Sequence, residues 1–284
     1  MIVVTAATGQ LGRLVVENLL TKVPAEQIVA AVRTPAKAAD LAERGVQVRE
    51  ADYDRPETLQ AAVAGADRIL LISGSEIGGR VPQHQAVIDA ARNAGVSLLA
   101  YTSVLHADTS TLAVAAEHKA TEEAIKASGL SYSLLRNGWY SENYIPAAQQ
   151  GTVSGTIIGS AGEGRVASAS RADYAAAAAV VLTSDGHGNT VHELSGDTSW
   201  TMADLAADVT GITGTSVVYR DVPAETHVKA LVEAGLPPEV AQMFAAMDAS
   251  TADGSLADTS GDLSRLIDRP TTPLRETLAE ALVN

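Results

Sequence analysis

The 284-residue chain contains no cysteine. That excludes disulfide bridges, thiolate catalysis and cysteine-held metals or clusters. Basic residues are also few: 20 Lys and Arg stand against 34 Asp and Glu, a formal net charge of -14. Such a balance argues against a nucleic-acid-binding surface. No apolar run is long enough to span a bilayer. The opening apolar stretch is too short, and lacks the basic lead, for a secretory signal. The expectation is a cytoplasmic protein with neither membrane nor nucleic acid as partner. His84, His187, His192 and His227 are scattered without metal-ligand spacing, so no metal site is expected. Internal repeats and low-complexity tracts are absent. The length, with 46% hydrophobic residues, allows a large core and a second, smaller domain. The Ser-, Thr-, Asp-, Ala- and Gly-rich stretch from Asp248 to Gly261 reads as a mobile loop.

What is present is concentrated at the start. Ile2-Val3-Val4-Thr5 is a short β-branched run. Small residues and glycines follow, and then an amphipathic pattern from Leu11 to Leu20. A strand therefore enters a tight turn that opens into a helix, whose first N–H groups and partial positive charge suit a pyrophosphate. The spacing Ala6-x-x-Gly9-x-x-Gly12 is a dinucleotide-binding turn with its first glycine replaced. A positive φ is costly for Ala, so Ala6 predicts a negative φ there or weaker cofactor binding. A second strand at Gln27–Val32 completes a βαβ unit and ends at Arg33. An acidic residue at that place favours NAD, and a basic one accommodates the 2′-phosphate of NADP. Arg33, with Lys37 close behind, points to NADPH.

Strand and helix patterns then alternate. Helices are expected over Pro35–Arg44, Pro56–Val63, Pro82–Ala94 and Leu112–Ser128, and strands over Val46–Asp52, Arg68–Ile72, Val96–Thr102 and Tyr132–Arg136. Apolar strands separated by helices imply a parallel sheet covered on both faces. Past Asn137 short strands are expected near 156–158 and 165–167, a buried helix over Ala172–Thr183, and a return to the main sheet at Val191–Leu194. Helices over Met202–Thr210, Ala224–Ala234 and Pro237–Ala246 complete a smaller lobe. The fold class is thus α/β: a Rossmann-type, doubly wound parallel sheet with a smaller, mostly C-terminal α/β lobe. The boundary is placed at 1–150 for the NADP-binding domain, with returning segments near 166–196, and 151–284 mostly for a lobe covering the substrate.

Alcohol-oxidising short-chain dehydrogenases commonly use Tyr-x-x-x-Lys to exchange a proton with the substrate oxygen. Here Lys119 would require a Tyr at Ala115, and His118 in that place would require one at Val114. Neither side chain carries a proton to give. Tyr132-x-x-x-Arg136 has the spacing but lies on an expected strand, where i and i+4 are ~13 Å apart. The absence suits an acceptor that takes hydride without an obligatory protein acid, such as a quinone, whose quinol anion is resonance-stabilised and collects a proton from water.

TAATGQLG at the start, VRTPAKA after the second strand, ADY at 51–53, LLISGSE at 70–76, AYTS at 100–103, EHKATE at 117–122, LLRNGWYSENY at 134–144, SASRADYAAAAA at 168–179 and PTTPLRETL near the end carry a resemblance. Together they resemble NmrA-like atypical short-chain dehydrogenase/reductases over nearly the whole chain, most of all their NADPH-dependent quinone-reducing branch, with triphenylmethane reductases as relatives. The resemblance implies NADPH as cofactor without flavin or metal. It implies that Ala6, Thr8, Gly9, Gln10 and Leu11 hold the pyrophosphate and Arg33 the 2′-phosphate. Ser73, Gly74 and Ser75 would line the adenosine and ribose side, and Asn137, Gly138, Trp139 and Tyr140 the nicotinamide.

Among these, Tyr140 and Asn143 are the candidates to face both nicotinamide and acceptor: Asn143 can donate to a carbonyl oxygen, and Tyr140 can stack or donate. The plainer alternative is that Trp139, Tyr140 and Tyr144 pack the domain junction. His118 either contacts the ribose or sits on a helix surface. Ser103 and His106, past the fifth strand, are candidates to border the acceptor. The expected partner is a small quinone-like acceptor, with the protein a monomer or homodimer. Two alternatives stay open: reduction of another conjugated acceptor such as a dye-like cation, or a non-catalytic NADP(H)-binding redox sensor.

Overall fold

The computed structural model describes residues 1–76 and 78–283. In chain order its elements are β1 Ile2–Thr5, α1 Gln10–Leu20, β2 Ile28–Val32, α2 Ala39–Glu43, β3 Gln47–Glu50, α3 Pro56–Ala62, β4 Arg68–Leu71, α4 Arg80–Ala94, β5 Leu98–Val104, α5 Ala115–Ala127 and β6 Tyr132–Asn137. They continue with α6 Ile145–Ser154, β7 Thr156–Gly159, β8 Arg165–Val166, α7 Arg171–Thr183, β9 Thr190–Leu194, β10 Trp200–Thr201, α8 Met202–Thr213 and β11 Val218–Asp221. Last come α9 Ala224–Glu233, α10 Pro238–Ala252, α11 Asp262–Ile267 and α12 Leu274–Val283.

Two compact units emerge. The first comprises Met1–Thr109, Val114–Asn137 and Arg171–Leu194. The expected boundary lay near 150; the first unit instead leaves the chain at Asn137 and takes it back at Arg171. Its seven strands form one parallel sheet in the order β3-β2-β1-β4-β5-β6-β9. The order in which strands are added reverses between β1 and β4, which makes that crevice the topological switch point of a doubly wound sheet. β1, β2 and β5 are buried at every position, as strands covered on both faces must be. One face carries α3, α4 and α5, sealed by Leu59, Val87, Ile88 and Ile125 against Val29, Leu71, Leu99 and Leu134. The other carries α1 and α7, which pack along each other. The small residues Ala175, Ala177, Ala178 and Ala179 are all buried on α7, so helix and sheet approach closely.

The second unit comprises Ser110–Ala113, Gly138–Ser170 and Ser195–Asn284. It holds two small sheets, β7 parallel to β11 and β8 antiparallel to β10, together with α6 and α8 to α12. Thr201 caps α8 in a reciprocal bond set with Asp204, a strong local start signal.

Three elements differ from expectation. The helix expected from Pro35 begins as a 3₁₀ turn over Pro35–Ala38 and becomes α-helical only at Ala39, because Lys37 N–H bonds back three residues to Thr34. The helix expected from Leu112 starts at Ala115. The preceding residues 110–113 belong to the second unit, where Thr111 Oγ1 lies 3.1 Å from Ser255 Oγ. The stretch expected as a mobile loop at 248–261 is held instead. α10 runs through Ala252, Leu256 is buried, and the Leu256 carbonyl accepts the Ala167 N–H at 2.7 Å. Composition marks polar, small residues but not the carbonyls and apolar side chains that pin them.

Candidate functional site

At the carboxyl end of β1 the chain turns through Ala6-Ala7-Thr8-Gly9. The φ of Ala6 is +49°, so the expected negative angle is corrected. The turn requires it: the Ala6 carbonyl must accept the Gly9 N–H at 2.9 Å. Gly12 then packs so closely on this turn that a Cβ there would lie 2.3 Å from the Ala6 carbonyl oxygen. No side chain caps α1 and no acidic residue stands in its first turn. Its positive end is therefore left open to an anion.

That end forms one wall of a cavity of about 390 Å³. Ala6, Thr8, Gly9, Gln10, Leu11, Arg33, Ser73, Gly74 and Ser75 all line it, together with Gly12, Lys37, Asp54 and Gln83. The Arg33 side chain is exposed and makes no ion pair among the described residues. Arg13, on α1 nearby, is engaged by Asp40.

The opposite wall is the segment after β4. Ser73 N–H donates to Thr102 Oγ1 at 2.9 Å and Gly74 N–H to His84 Nε2 at 2.9 Å. Arg80 Nε donates to the Gly74 carbonyl at 2.7 Å. Gln83 Nε2 bridges Asp54 Oδ1 and Glu76 Oε2, at 2.9 and 3.0 Å. Tyr53, also on the lining, places its hydroxyl 2.9 Å from the Ile72 carbonyl; burial pushes its pKa up.

Sequence reasoning missed His84. It lies within α4 with no motif around it, and only the fold brings it to Gly74, ten residues upstream in the chain. His118 is not on a helix surface: it is buried, with Nδ1 2.7 Å from the Tyr101 hydroxyl. Burial, with Arg80 nearby, lowers its pKa to about 4, while burial raises that of Tyr101. Ser103 lies within β5 rather than past it, and donates to Glu122 Oε1 at 2.6 Å. His106 N–H donates to Glu193.

Asn137 closes β6 and is buried. Gly138, Trp139, Tyr140 and Asn143 belong to the second unit. There Tyr140 bridges to Ala169, and its carbonyl accepts the Asn143 N–H at 3.1 Å, which starts a 3₁₀ turn over Ser141–Tyr144. Among the described residues no group of three or more His, Asp or Glu is placed to hold a metal, and no helix is long and apolar enough to cross a membrane.

The model of the NAD(P)H-binding family matches residues 6–185, the span from Ala6 through α7. The chain belongs to that family. It is 51% identical to quinone oxidoreductase 2 of Escherichia coli over 98% of both chains. The structure of the NADPH-dependent quinone oxidoreductase of E. coli complexed with NADPH superposes with a TM-score of 0.97 over 100% of both chains. Triphenylmethane reductase of Citrobacter sp., complexed with NADP(H), is 42% identical with a TM-score of 0.96, over 99% of this chain and 100% of that one. An NAD(P)H azoreductase of Xenophilus azovorans is 28% identical over 97% of this chain and 96% of that one. These are all reductases, which carries the expectation of an NADP-dependent, NmrA-like reductase from residues to relatives.

Proposed function

We propose that this protein reduces a quinone with NADPH, without flavin or metal. The observation that carries it is the uncapped start of α1 and the exposed Arg33 lining one cavity, in a chain half identical to a quinone oxidoreductase. The donors fit the cofactor. The α1 N-terminus suits a pyrophosphate, Gly12 lets the turn pack closely, and Arg33 and Lys37 offer cations where a 2′-phosphate needs them. Bound there, NADPH supplies the hydride. The chain contributes binding, orientation and exclusion of water. Thr8, Gly9, Gln10 and Leu11 hold the pyrophosphate, Ser73, Gly74 and Ser75 the adenosine and ribose side, and Asn137, Gly138, Trp139 and Tyr140 the nicotinamide side.

Asn143 donates to a carbonyl oxygen of the acceptor and Tyr140 stacks on or donates to it. The quinol anion then collects its proton from water. His118 is proposed as a third catalytic group, its ring held on Tyr101. We assign the protein to the cytoplasm, as a monomer or homodimer.

Purified protein without added flavin should oxidise NADPH, followed by the loss of its absorbance, when a small benzoquinone is supplied. No change at saturating quinone, with NADPH bound, would remove quinone reduction and leave reduction of another conjugated acceptor or a sensor. Reduction of a triphenylmethane cation is favoured by the 42% identity to a triphenylmethane reductase and by the acidic chain, which attracts cations. A panel of both acceptors separates the two by kcat/KM.

A further inference from the structure

Gly74 stands on the cavity wall, and both of its backbone polar groups are taken by side chains of α4. His84 Nε2 accepts its N–H at 2.9 Å and Arg80 Nε donates to its carbonyl at 2.7 Å. Because Nε2 accepts, the imidazole must carry its proton on Nδ1. That nitrogen lies 2.9 Å from Thr121 Oγ1 on α5. The Thr121 hydroxyl donates onward to the Glu117 carbonyl at 2.9 Å, so its lone pair is free to receive Nδ1–H. Donors and acceptors alternate without conflict from Gly74 to Glu117.

The same two helices hold the far side of the segment. Glu117 Oε1 accepts the Gly78 N–H at 2.9 Å, and Glu117 Oε2 faces Arg80 Nη1 at 3.7 Å. His84 is fully buried. Tyr53 and Tyr101 present ring edges to it, with centroids 6.3 and 5.4 Å away. The imidazole itself is thus closed to water. The ring also stays neutral: burial, with His118 and Arg80 nearby, lowers its pKa to about 3.

We infer that His84 is a positioning residue for the cofactor, which, with Arg80 and through Thr121, clamps Gly74 and so shapes the wall formed by Ser73, Gly74 and Ser75. This rests on NADPH occupying the cavity. The clamp is more than packing, because it depends on one nitrogen being a bare acceptor. An apolar side chain of similar bulk would leave the half-buried Gly74 N–H without its protein acceptor, and the segment would move to find another partner. A change of wall conformation alters cofactor binding, while the reacting groups, which lie elsewhere, keep their turnover once NADPH is saturating.

The test uses calorimetric NADPH titration and steady-state kinetics on the whole protein. His84→Leu should raise the Kd and KM for NADPH about tenfold, with kcat at saturating NADPH within about twofold. His84→Gln restores an acceptor and should recover most of that loss. A His84→Leu protein that binds NADPH as the parent does, or that loses melting temperature and kcat with Kd unchanged, overturns the inference. So does His84→Gln behaving like His84→Leu. Should His84→Leu fail to fold, Thr121→Val decides. It removes the group that fixes the tautomer and should weaken NADPH severalfold; unchanged affinity overturns the clamp. Ring ¹⁵N spectra of the unmutated protein give an independent check, with Nδ1 protonated and Nε2 bare across neutral pH. The opposite tautomer overturns the clamp whether or not NADPH binds. Failure of the unmutated protein to bind NADPH would instead sink the cofactor assignment and leave the tautomer result standing.

Discussion

Arg33 and Ala6 show how one side chain and one backbone angle set the cofactor corner. Arg33 is the cation at the end of β2, exposed on the cavity and without an ion pair among the described residues. A charge-assisted contact to phosphate contributes roughly 1.5–3 kcal/mol. Arg33→Glu should therefore raise the Kd for NADPH by roughly tenfold or more and leave that for NADH far less affected; equal losses would show that Arg33 does not meet the 2′-phosphate. Ala6 occupies left-handed backbone at φ +49°, at a cost of roughly 1–2 kcal/mol. Ala6→Gly relieves that strain but adds about 0.4–1 kcal/mol of unfolded-state entropy. The balance predicts a gain of about 0.5–1 kcal/mol, read as a melting temperature higher by about 2 °C; a lower one contradicts the strain. The glycine spacing around Ala6 was readable in the sequence. Its angle was not, because it is imposed by the bond to Gly9 and the packing of Gly12.

Among the elements, the edge β5-β6-β9 with α5 depends on a charge cluster that the sequence did not display. Tyr132-x-x-x-Arg136 is unusable as a dyad because it lies on β6. The strand instead delivers Arg136, nearly buried, to Glu122 Oε2 on α5 at 2.7 Å and to Glu193 Oε1 on β9 at 2.7 Å. These bonds raise the Arg136 pKa, so it stays charged. Arg136→Met would leave the buried Glu122 carboxylate only Lys126 at 3.6 Å and the Ser103 hydroxyl, a loss of about 3 kcal/mol. Urea unfolding should show it as a lower midpoint with the slope retained, and Glu122→Leu in the same chain should return part of it. Periodicity made the strands and most helices legible. It overran the start of α5 and missed the end of α10, because both limits are set by distant residues, Ser255 for the one and Ala167 for the segment after the other.

At the scale of the whole molecule, two buried histidines make stability depend on pH. Burial lowers the pKa of His84 to about 3 and of His118 to about 4, from 6.5 when unfolded. The unfolded chain thus takes up protons near pH 6.5 that the folded chain refuses. Stability from both groups is complete above about pH 7 and is lost as pH falls from 6.5 towards 4 and 3. At pH 5.5 the two groups together cost about 3 kcal/mol, shared about equally. Urea midpoints at pH 7.5 and 5.5 should differ accordingly, and His84→Gln should remove about half the difference; a flat profile would contradict the burial of both rings. The order of strands and helices, the opening βαβ unit and a cation at the end of β2 were determined by the sequence alone, since each rests on residues close together in the chain. Tertiary structure alone decided the tie of His84 to Gly74, the placing of His118 on Tyr101 and the gathering of carboxylates round Arg136. Those pairings cross from one element to another, and a hydrogen bond between distant residues leaves no periodicity to read.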